Sequence, residues 1–177
     1  MSNRAWLADI YQRALRIYGD PEEAKVAAAQ AALESGYGRS APGGNLFGIK
    51  STSGRGVTTG TTEVINGQRV RQSATWEEHG GPDQSIAARL DFLKRNPRYA
   101  KAGYFDAATA TEKAAALKRA GYATDPNYVS KLSSIIRMID PNAVPVDTRM
   151  ASLDGGGMAV GTEGGSDGKA VSRRCHH

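Results

Sequence analysis

Glu34 is the residue of this chain best placed to do chemistry. It lies in Ala27-Ala28-Ala29-Gln30-Ala31-Ala32-Leu33-Glu34-Ser35-Gly36-Tyr37-Gly38, an alanine-rich stretch that reads as the end of a closely packed helix. Gly36 is a good left-handed terminator, so Glu34 falls in the last turn. A carboxylate there meets the negative end of the helix dipole, which disfavours its charged form. Desolvation pushes the same way, towards a raised pKa and a proton held near neutrality. A group tuned like this suits general-acid catalysis. Taken alone, the stretch also fits an ordinary solvated glutamate at a helix end.

The elements that must position Glu34 follow from periodicity and punctuation. Trp6, Ile10, Ala14 and Ile17, flanked by Leu7 and Tyr18, give a helical core stripe over Asn3 to Tyr18, and Gly19 ends it. Asp20-Pro21-Glu22-Glu23 restarts a helix with a capping aspartate, proline at the first position and acids in the first turn. Val26, Ala29 and Leu33 are its expected buried face. Gln30 lies four residues before Glu34 and shares a face with it. Gly36, Gly38, Gly43 and Gly44 make the following loop one whose backbone can approach a ligand closely. Asn45-Leu46-Phe47-Gly48-Ile49-Lys50 then predicts a crossing of the floor beneath it, with Leu46 and Ile49 packed in the core.

The pattern changes between Val57 and Trp76. Thr/Val-rich runs flank Asn66-Gly67, a strong hairpin signal because both turn residues need positive φ. Strands of about Thr58–Ile65 and Gln68–Trp76 place Glu63 opposite Val70, on one face with Thr61 and Ile65. Two isolated strands are marginal, so this lobe is expected to be mobile and to gain order on binding. By itself Glu63 reads as an exposed strand residue. Beyond it, Pro82 and Asp83 open a helix with Ile86, Leu90 and Leu93 inward, ending before Pro97. Arg98 and Tyr99 fall in a turn, where Tyr99 either lines a groove or packs. Thr109-Ala110-Thr111-Glu112 fits a capping box for a helix reaching Ala120 and stopped by Gly121. Asp125-Pro126 opens the last helix, with Val129, Leu132, Ile136 and Ile139 inward and Pro141 as its stop.

Three segments, in order and spacing, carry a family resemblance: the Glu34 stretch with Asn45-Leu46-Phe47-Gly48-Ile49-Lys50, then Asn96-Pro97-Arg98-Tyr99-Ala100, then Gly121-Tyr122-Ala123-Thr124-Asp125-Pro126-Asn127-Tyr128. Over roughly Asp20 to Asp140 the chain resembles glycoside hydrolase family 73, the glucosaminidases that include flagellar rod-type peptidoglycan hydrolase domains. The resemblance implies a mainly α, lysozyme-like α+β fold of five to six helices with one β-hairpin lobe over a substrate cleft. It implies cleavage of the β-1,4 bond after N-acetylglucosamine in peptidoglycan. Glu34 matches the general acid, and Glu63 matches the second carboxylate, a base or stabilising group. Tyr122 and Tyr128 match aromatic cleft positions; with Gln30, Tyr37, Asn45 and Phe47 they are the expected substrate contacts. Glu78-His79-Gly80-Gly81 departs from the family's frequent Tyr-Ser, so subsite contacts are not carried over there. No metal or organic cofactor is implied. A lytic transglycosylase or muramidase of lysozyme-like fold, using one glutamate, is the alternative enzyme. A wall-binding structural virion component with little activity is the alternative of another class.

The 177 residues, 40% hydrophobic and 23% charged, fit one globular domain, 1–140, plus a tail, 141–177. No run approaches the ~18 apolar residues of a membrane span, and membrane insertion is not expected. Met1 to Trp6 lacks an apolar signal region, so a non-Sec route to the wall is expected. In the tail Arg149, Lys169, Arg173 and Arg174 cancel Asp147, Asp154, Glu163 and Asp167, so the net charge of +5 falls on the first 140 residues. A basic domain is steered to polyanions. Peptidoglycan with its stem-peptide carboxylates qualifies, whereas no clustered basic stripe points to nucleic acid. Cys175 is the only cysteine, which excludes an internal disulfide; with His176 and His177 it makes a poor metal site at a flexible end. The Gly-rich tail is expected to be disordered in isolation and ordered by a larger assembly such as a phage virion or tail.

Overall fold

The computed structural model describes residues 1–140 and Asn142, with only the backbone at residues 61 and 63–65. The 141–177 tail, its assembly partner and Cys175 otherwise lie outside the described residues. The chain forms α1 (Asn3–Tyr18), α2 (Pro21–Ser35), a short 3-10 turn (Pro42–Gly44), β1 (Val57–Ile65), β2 (Gln68–Trp76), α3 (Pro82–Arg95), α4 (Pro97–Lys101), α5 (Ala110–Arg119) and α6 (Tyr128–Ile136). Among the described residues no helix is long and apolar enough to cross a membrane.

Helix α2 is the centre of the fold. Asp20 caps it by accepting from the amides of Glu22 and Glu23, and Pro21 opens its first turn. Its neighbours are α1, α5 and α6. Ala24 and every residue from Val26 to Ala32 are buried, so the helix is enclosed on nearly all sides rather than along the expected Val26-Ala29-Leu33 face. Alanine makes this possible: with only a methyl at each turn, neighbouring helices approach from several directions without clash.

The stripes of the outer helices are rotated from their expected positions. On α1 the buried residues are Leu7, Ile10, Tyr11 and Ala14, while Ile17 is 40% exposed. On α6 they are Tyr128, Leu132 and Ile135, with Val129 and Ile136 only half-buried. Helix α3 puts Ser85, Ile86, Arg89 and Leu93 inward, and Arg89 takes the place expected for Leu90. In each case the packed face follows where the neighbours lie, which hydropathy alone does not record. Tyr99, on α4, is fully buried against Phe92 and Tyr122, so it packs and lines no groove.

Arg89 is 0% exposed and is neutralised at close range. Its Nη1 donates to Glu23 Oε1 at 2.7 Å and its Nη2 to the Tyr104 hydroxyl at 2.8 Å. Tyr104 donates in turn to Glu23 Oε1 at 2.5 Å, and Lys113 Nζ lies 3.2 Å from Glu23 Oε2. Burial opposes ionisation of Glu23, but the Arg89 charge, the Tyr104 hydroxyl and Lys113 outweigh it and hold the carboxyl below its ordinary range. One buried cluster thereby joins α2, α3, α5 and the loop before α5.

The hairpin has the expected register, Glu63 opposite Val70. Asn66 and Gly67 have φ of 51° and 79°, as a tight two-residue turn requires. Among the described contacts it meets the helical body at its base. Trp76 is buried and donates from Nε1 to Thr59 Oγ1 at 2.7 Å. The Ser51 amide donates to Thr75 O at 2.9 Å, Glu77 N to Ile49 O at 3.0 Å, and His79 N to Gly43 O at 2.7 Å. Gly56, at φ 132°, lies so close to the Trp76 carbonyl that a Cβ there would overlap it.

Two outcomes follow from this packing. Glu23→Gln strands the Arg89 charge, and chemical denaturation should show a loss of about 3–5 kcal/mol at neutral pH. Because the folded carboxyl titrates below its unfolded value of about 4.3, the wild-type advantage is present above that pH. It fades as pH falls through the depressed folded value. Gly56→Ala should loosen the hairpin alone: amide exchange in β1 and β2 speeds at least about tenfold, the equivalent of 1.4 kcal/mol, while α2 amides keep their protection. Unchanged exchange in the strands would show that the base contact does not hold the ribbon.

Candidate active site

The end of α2 is built to hold Glu34 in place. Gly36 takes the left-handed conformation with φ 58°, and the Tyr37 amide reaches back to Ala32 O at 2.9 Å, which closes the helix in a Schellman-type turn. Ser35 Oγ donates to Ala31 O at 2.6 Å and accepts from Gly38 N at 2.8 Å. The loop is then pinned to α1. Trp6 meets the Tyr37 ring edge-on at 5.8 Å, Gly38 has room for no side chain beside the Trp6 indole, and Arg39 Nη2 donates to Asn3 Oδ1 at 2.7 Å. Tyr37 itself has a positive φ of 58° and is half-buried.

Glu34 is half-buried, and its Oε1 accepts from the Tyr128 hydroxyl at 3.2 Å. Behind Tyr128, Gln30 Nε2 donates to that hydroxyl at 3.1 Å, and Arg89 Nε donates to Gln30 Oε1 at 2.7 Å. The Tyr128 ring stacks on Tyr122, with centroids 6.3 Å apart and planes 17° from parallel. Tyr122 donates to the Phe47 carbonyl at 2.7 Å. Four of the expected substrate contacts, Gln30, Phe47, Tyr122 and Tyr128, are buried in this structure. They brace the wall behind Glu34.

Asn45 is also buried, and its amide is used up inside the loop. Nδ2 donates to Ile49 O at 2.8 Å and Glu77 O at 3.0 Å, while Oδ1 accepts from Phe47 N at 3.3 Å and Ile49 N at 3.1 Å. Two donors and two acceptor positions exhaust what an asparagine side chain offers. Asn45 thus staples the Leu46–Ile49 turn to the residue that follows β2, and Leu46 N donates to Ser85 Oγ on α3 at 2.9 Å. Of the expected contacts, Tyr37 keeps partial exposure. Residue 63 lies on β1, paired across the ribbon with Val70. Two open hollows of about 550 and 290 Å3 are lined instead by α3 residues with Glu77, and by the 51–56 loop with Glu77 and Glu78. Neither contains Glu34, and the chemistry points to Glu34 over the larger hollow.

Sequence reasoning missed Arg89 and the role of Glu23. A signal was present: Glu23, Gln30 and Glu34 are spaced 7 and 4 apart along α2, which puts three polar residues on one face of a helix that is otherwise largely alanine. Such a polar row on a buried helix demands a partner, and Arg89 fills that role.

Comparisons with known proteins bear on what this arrangement is. Residues 8–141 match the family described as mannosyl-glycoprotein endo-beta-N-acetylglucosaminidase. The chain is 41% identical over 137 residues to the peptidoglycan hydrolase FlgJ of Salmonella typhimurium, a match covering 71% of this chain and 43% of that protein. It is 31% identical over 158 residues to the exo-glucosaminidase LytG of Bacillus subtilis, covering 81% of this chain and 56% of that one. The chain thus spans only about half the length of these relatives. The solved C-terminally truncated glycoside hydrolase domain of Salmonella FlgJ superposes with a TM-score of 0.59 at 36% identity, covering 77% of this chain and 96% of that one. The helical body with one hairpin is accordingly the lysozyme-like fold expected from the sequence, and the chain belongs to the glucosaminidase family, glycoside hydrolase family 73.

Proposed function

We propose that this chain is a peptidoglycan hydrolase that cleaves the β-1,4 bond after N-acetylglucosamine, with Glu34 as general acid. The observation that carries the reading is a half-buried carboxylate fixed at the end of α2 by the Tyr128 hydroxyl, in a chain of the glucosaminidase family. Glycoside hydrolysis needs a proton for the leaving oxygen and a group that stabilises or traps the oxocarbenium-like centre. Glu34 gives its proton to the bridging oxygen as the glycosidic bond breaks. Glu63, on the hairpin, takes the second role: it activates water on the opposite face of the sugar, or orients the substrate's own 2-acetamido group as the trapping nucleophile. A carboxyl separation of about 5–5.5 Å in the sugar-bound state goes with a direct nucleophile, and one of about 6.5–9.5 Å with an intervening water. Tyr37, the partly exposed aromatic beside Glu34, is the remaining candidate for a sugar contact.

The setting proposed for this activity is local wall penetration by a larger assembly, a phage particle or secretion- or flagellar-type machinery, held through residues 141–177. The tail's Gly-rich composition supports this, since such a segment orders best against a partner. Limited proteolysis that leaves the tail intact on the free protein would count against it.

Digestion of purified peptidoglycan with mass spectrometry of the reduced products tests the enzyme reading. Wild type should release fragments with reducing N-acetylglucosamine ends. Glu34→Gln should lose about 10²–10⁴-fold in rate, the usual contribution of a general acid, and Glu63→Gln should retain a measurable remainder. Anhydro-muramic ends, lighter by one water, would instead identify a lytic transglycosylase, and reducing N-acetylmuramic ends a muramidase. Wall binding with no released fragment would leave a structural component.

A further inference from the structure

Glu34 is the terminus of a hydrogen-bond chain whose direction is imposed from the other end. Arginine has five N–H donors and no acceptor, so Arg89 Nε at 2.7 Å can bond only the oxygen of the Gln30 amide. That fixes the amide's orientation and turns its nitrogen towards Tyr128, 3.1 Å away. An amide N–H facing the Tyr128 oxygen obliges that oxygen to accept. The single phenolic proton is then left to point at Glu34 Oε1, 3.2 Å distant. Arg89 has no latitude to reverse this, because its other nitrogens are spent on Glu23 and Tyr104 and it is fully buried. Nor does Gln30, which is also 0% exposed.

We propose that Gln30 and Arg89 are positioning residues for the glycosidase reaction: through Tyr128 they hold a one-way hydrogen bond onto Glu34 Oε1. The inference rests on the reading of Glu34 as general acid. Its consequence is a balance. The helix end and partial burial disfavour the carboxylate, whereas a donated hydroxyl favours it. An acid without that donor would hold its proton too firmly, and general-acid efficiency falls when the group is tuned far from the working pH. Holding Oε1 also restricts the orientation of the carboxyl, and a general acid depends on orientation for efficient proton transfer.

Gln30→Glu tests the direction with almost no change of shape. An ionised glutamate beside Arg89 can only accept, so the Tyr128 hydroxyl turns to residue 30 and leaves Glu34. Tyr128→Phe removes the same donor without adding charge and keeps the ring stack. Gln30→Met breaks the chain at similar volume. Each variant is first checked by circular dichroism for retention of the fold. Glu34 titration is then followed by carboxyl ¹³C NMR in glutamate-labelled protein, with its resonance assigned by its absence in Glu34→Gln. The expected result is an upward displacement of the midpoint by roughly one pH unit, the size of a lost hydrogen bond to a charged group, in Tyr128→Phe and Gln30→Glu, and a smaller one in Gln30→Met, which keeps the Tyr128 donor but no longer fixes its direction. On peptidoglycan the alkaline limb of the rate profile should move up with it, kcat should fall about tenfold or more, and KM should stay put. A midpoint unmoved in folded Tyr128→Phe and Gln30→Glu overturns the proposal, as does a rise in KM with kcat intact, which marks Gln30 as a sugar contact. The failure of the underlying reading is distinct: a Glu34→Gln enzyme as active as wild type, whatever the NMR midpoints do.

Discussion

A fully buried guanidinium is the constraint from which most of this structure follows. Removing that charge from water costs several kcal/mol unless every side of it is matched. Arg89 is matched by Glu23, Tyr104 and Gln30. Satisfying it requires α3 to face α2, and requires the loop before α5 to fold back so that Tyr104 can reach it. Lys113 adds a second cation to Glu23 from α5. The same packing brings Glu22 against the start of α5, where its Oε2 accepts from Ala110 N at 2.8 Å. That carboxylate suits a helix N-terminus, so the first turn of α2 is tied to α5 twice.

The charge could not lie there if α2 were an ordinary amphipathic helix. Six alanines among the fifteen residues of α2 let three helices close around it, and the face that carries Glu23, Gln30 and Glu34 becomes a polar seam through an apolar interior. One end of the seam is the Arg89 cluster and the other is the half-exposed Glu34. Replacing such a cluster with well-packed apolar residues is often neutral or stabilising in other proteins, so stability alone gives weak reason to keep it. Orientation gives a stronger one, because only a donor-saturated arginine dictates which way the Gln30 amide faces.

What was legible in the sequence was whatever local chemistry decides. Asp20 with Pro21, Thr109 with Glu112, and Asn66-Gly67 each satisfy a backbone requirement within a few residues, and the structure keeps all three. Glu34 was legible for the same reason, since Gly36 fixes the end of its helix. What failed was inference about faces. Ile17 and Val129 were expected inward and lie partly or largely outward, while Arg89 is inward among Ile86 and Leu93. Hydropathy assigns a charged residue to solvent, and only the partners on α2 and before α5, 59 to 66 positions away from Arg89 in one direction and 15 in the other, reverse that. The residues behind Glu34 were read by the same logic. Gln30, Asn45, Phe47, Tyr122 and Tyr128 are near Glu34 in the sequence pattern, but nearness does not distinguish a residue that touches substrate from one that holds the catalytic group still.

The two glutamates of the proposed mechanism stand on supports of different stiffness. Glu34 ends a buried helix, with its loop pinned to Trp6 and its carboxylate tied to Tyr128. Residue 63 belongs to a two-stranded ribbon anchored around Trp76, Ile49 and Gly43, and two strands alone are marginal in water. The asymmetry suits the chemistry. Proton donation is sensitive to sub-ångström placement of the acid, so its position is set before substrate arrives. In that mechanism the second carboxylate is needed only once substrate is bound, and a ribbon held mainly at its base suits a part that meets a polymer. On the proposed mechanism, precision is thus concentrated on α2 and access is left to the hairpin.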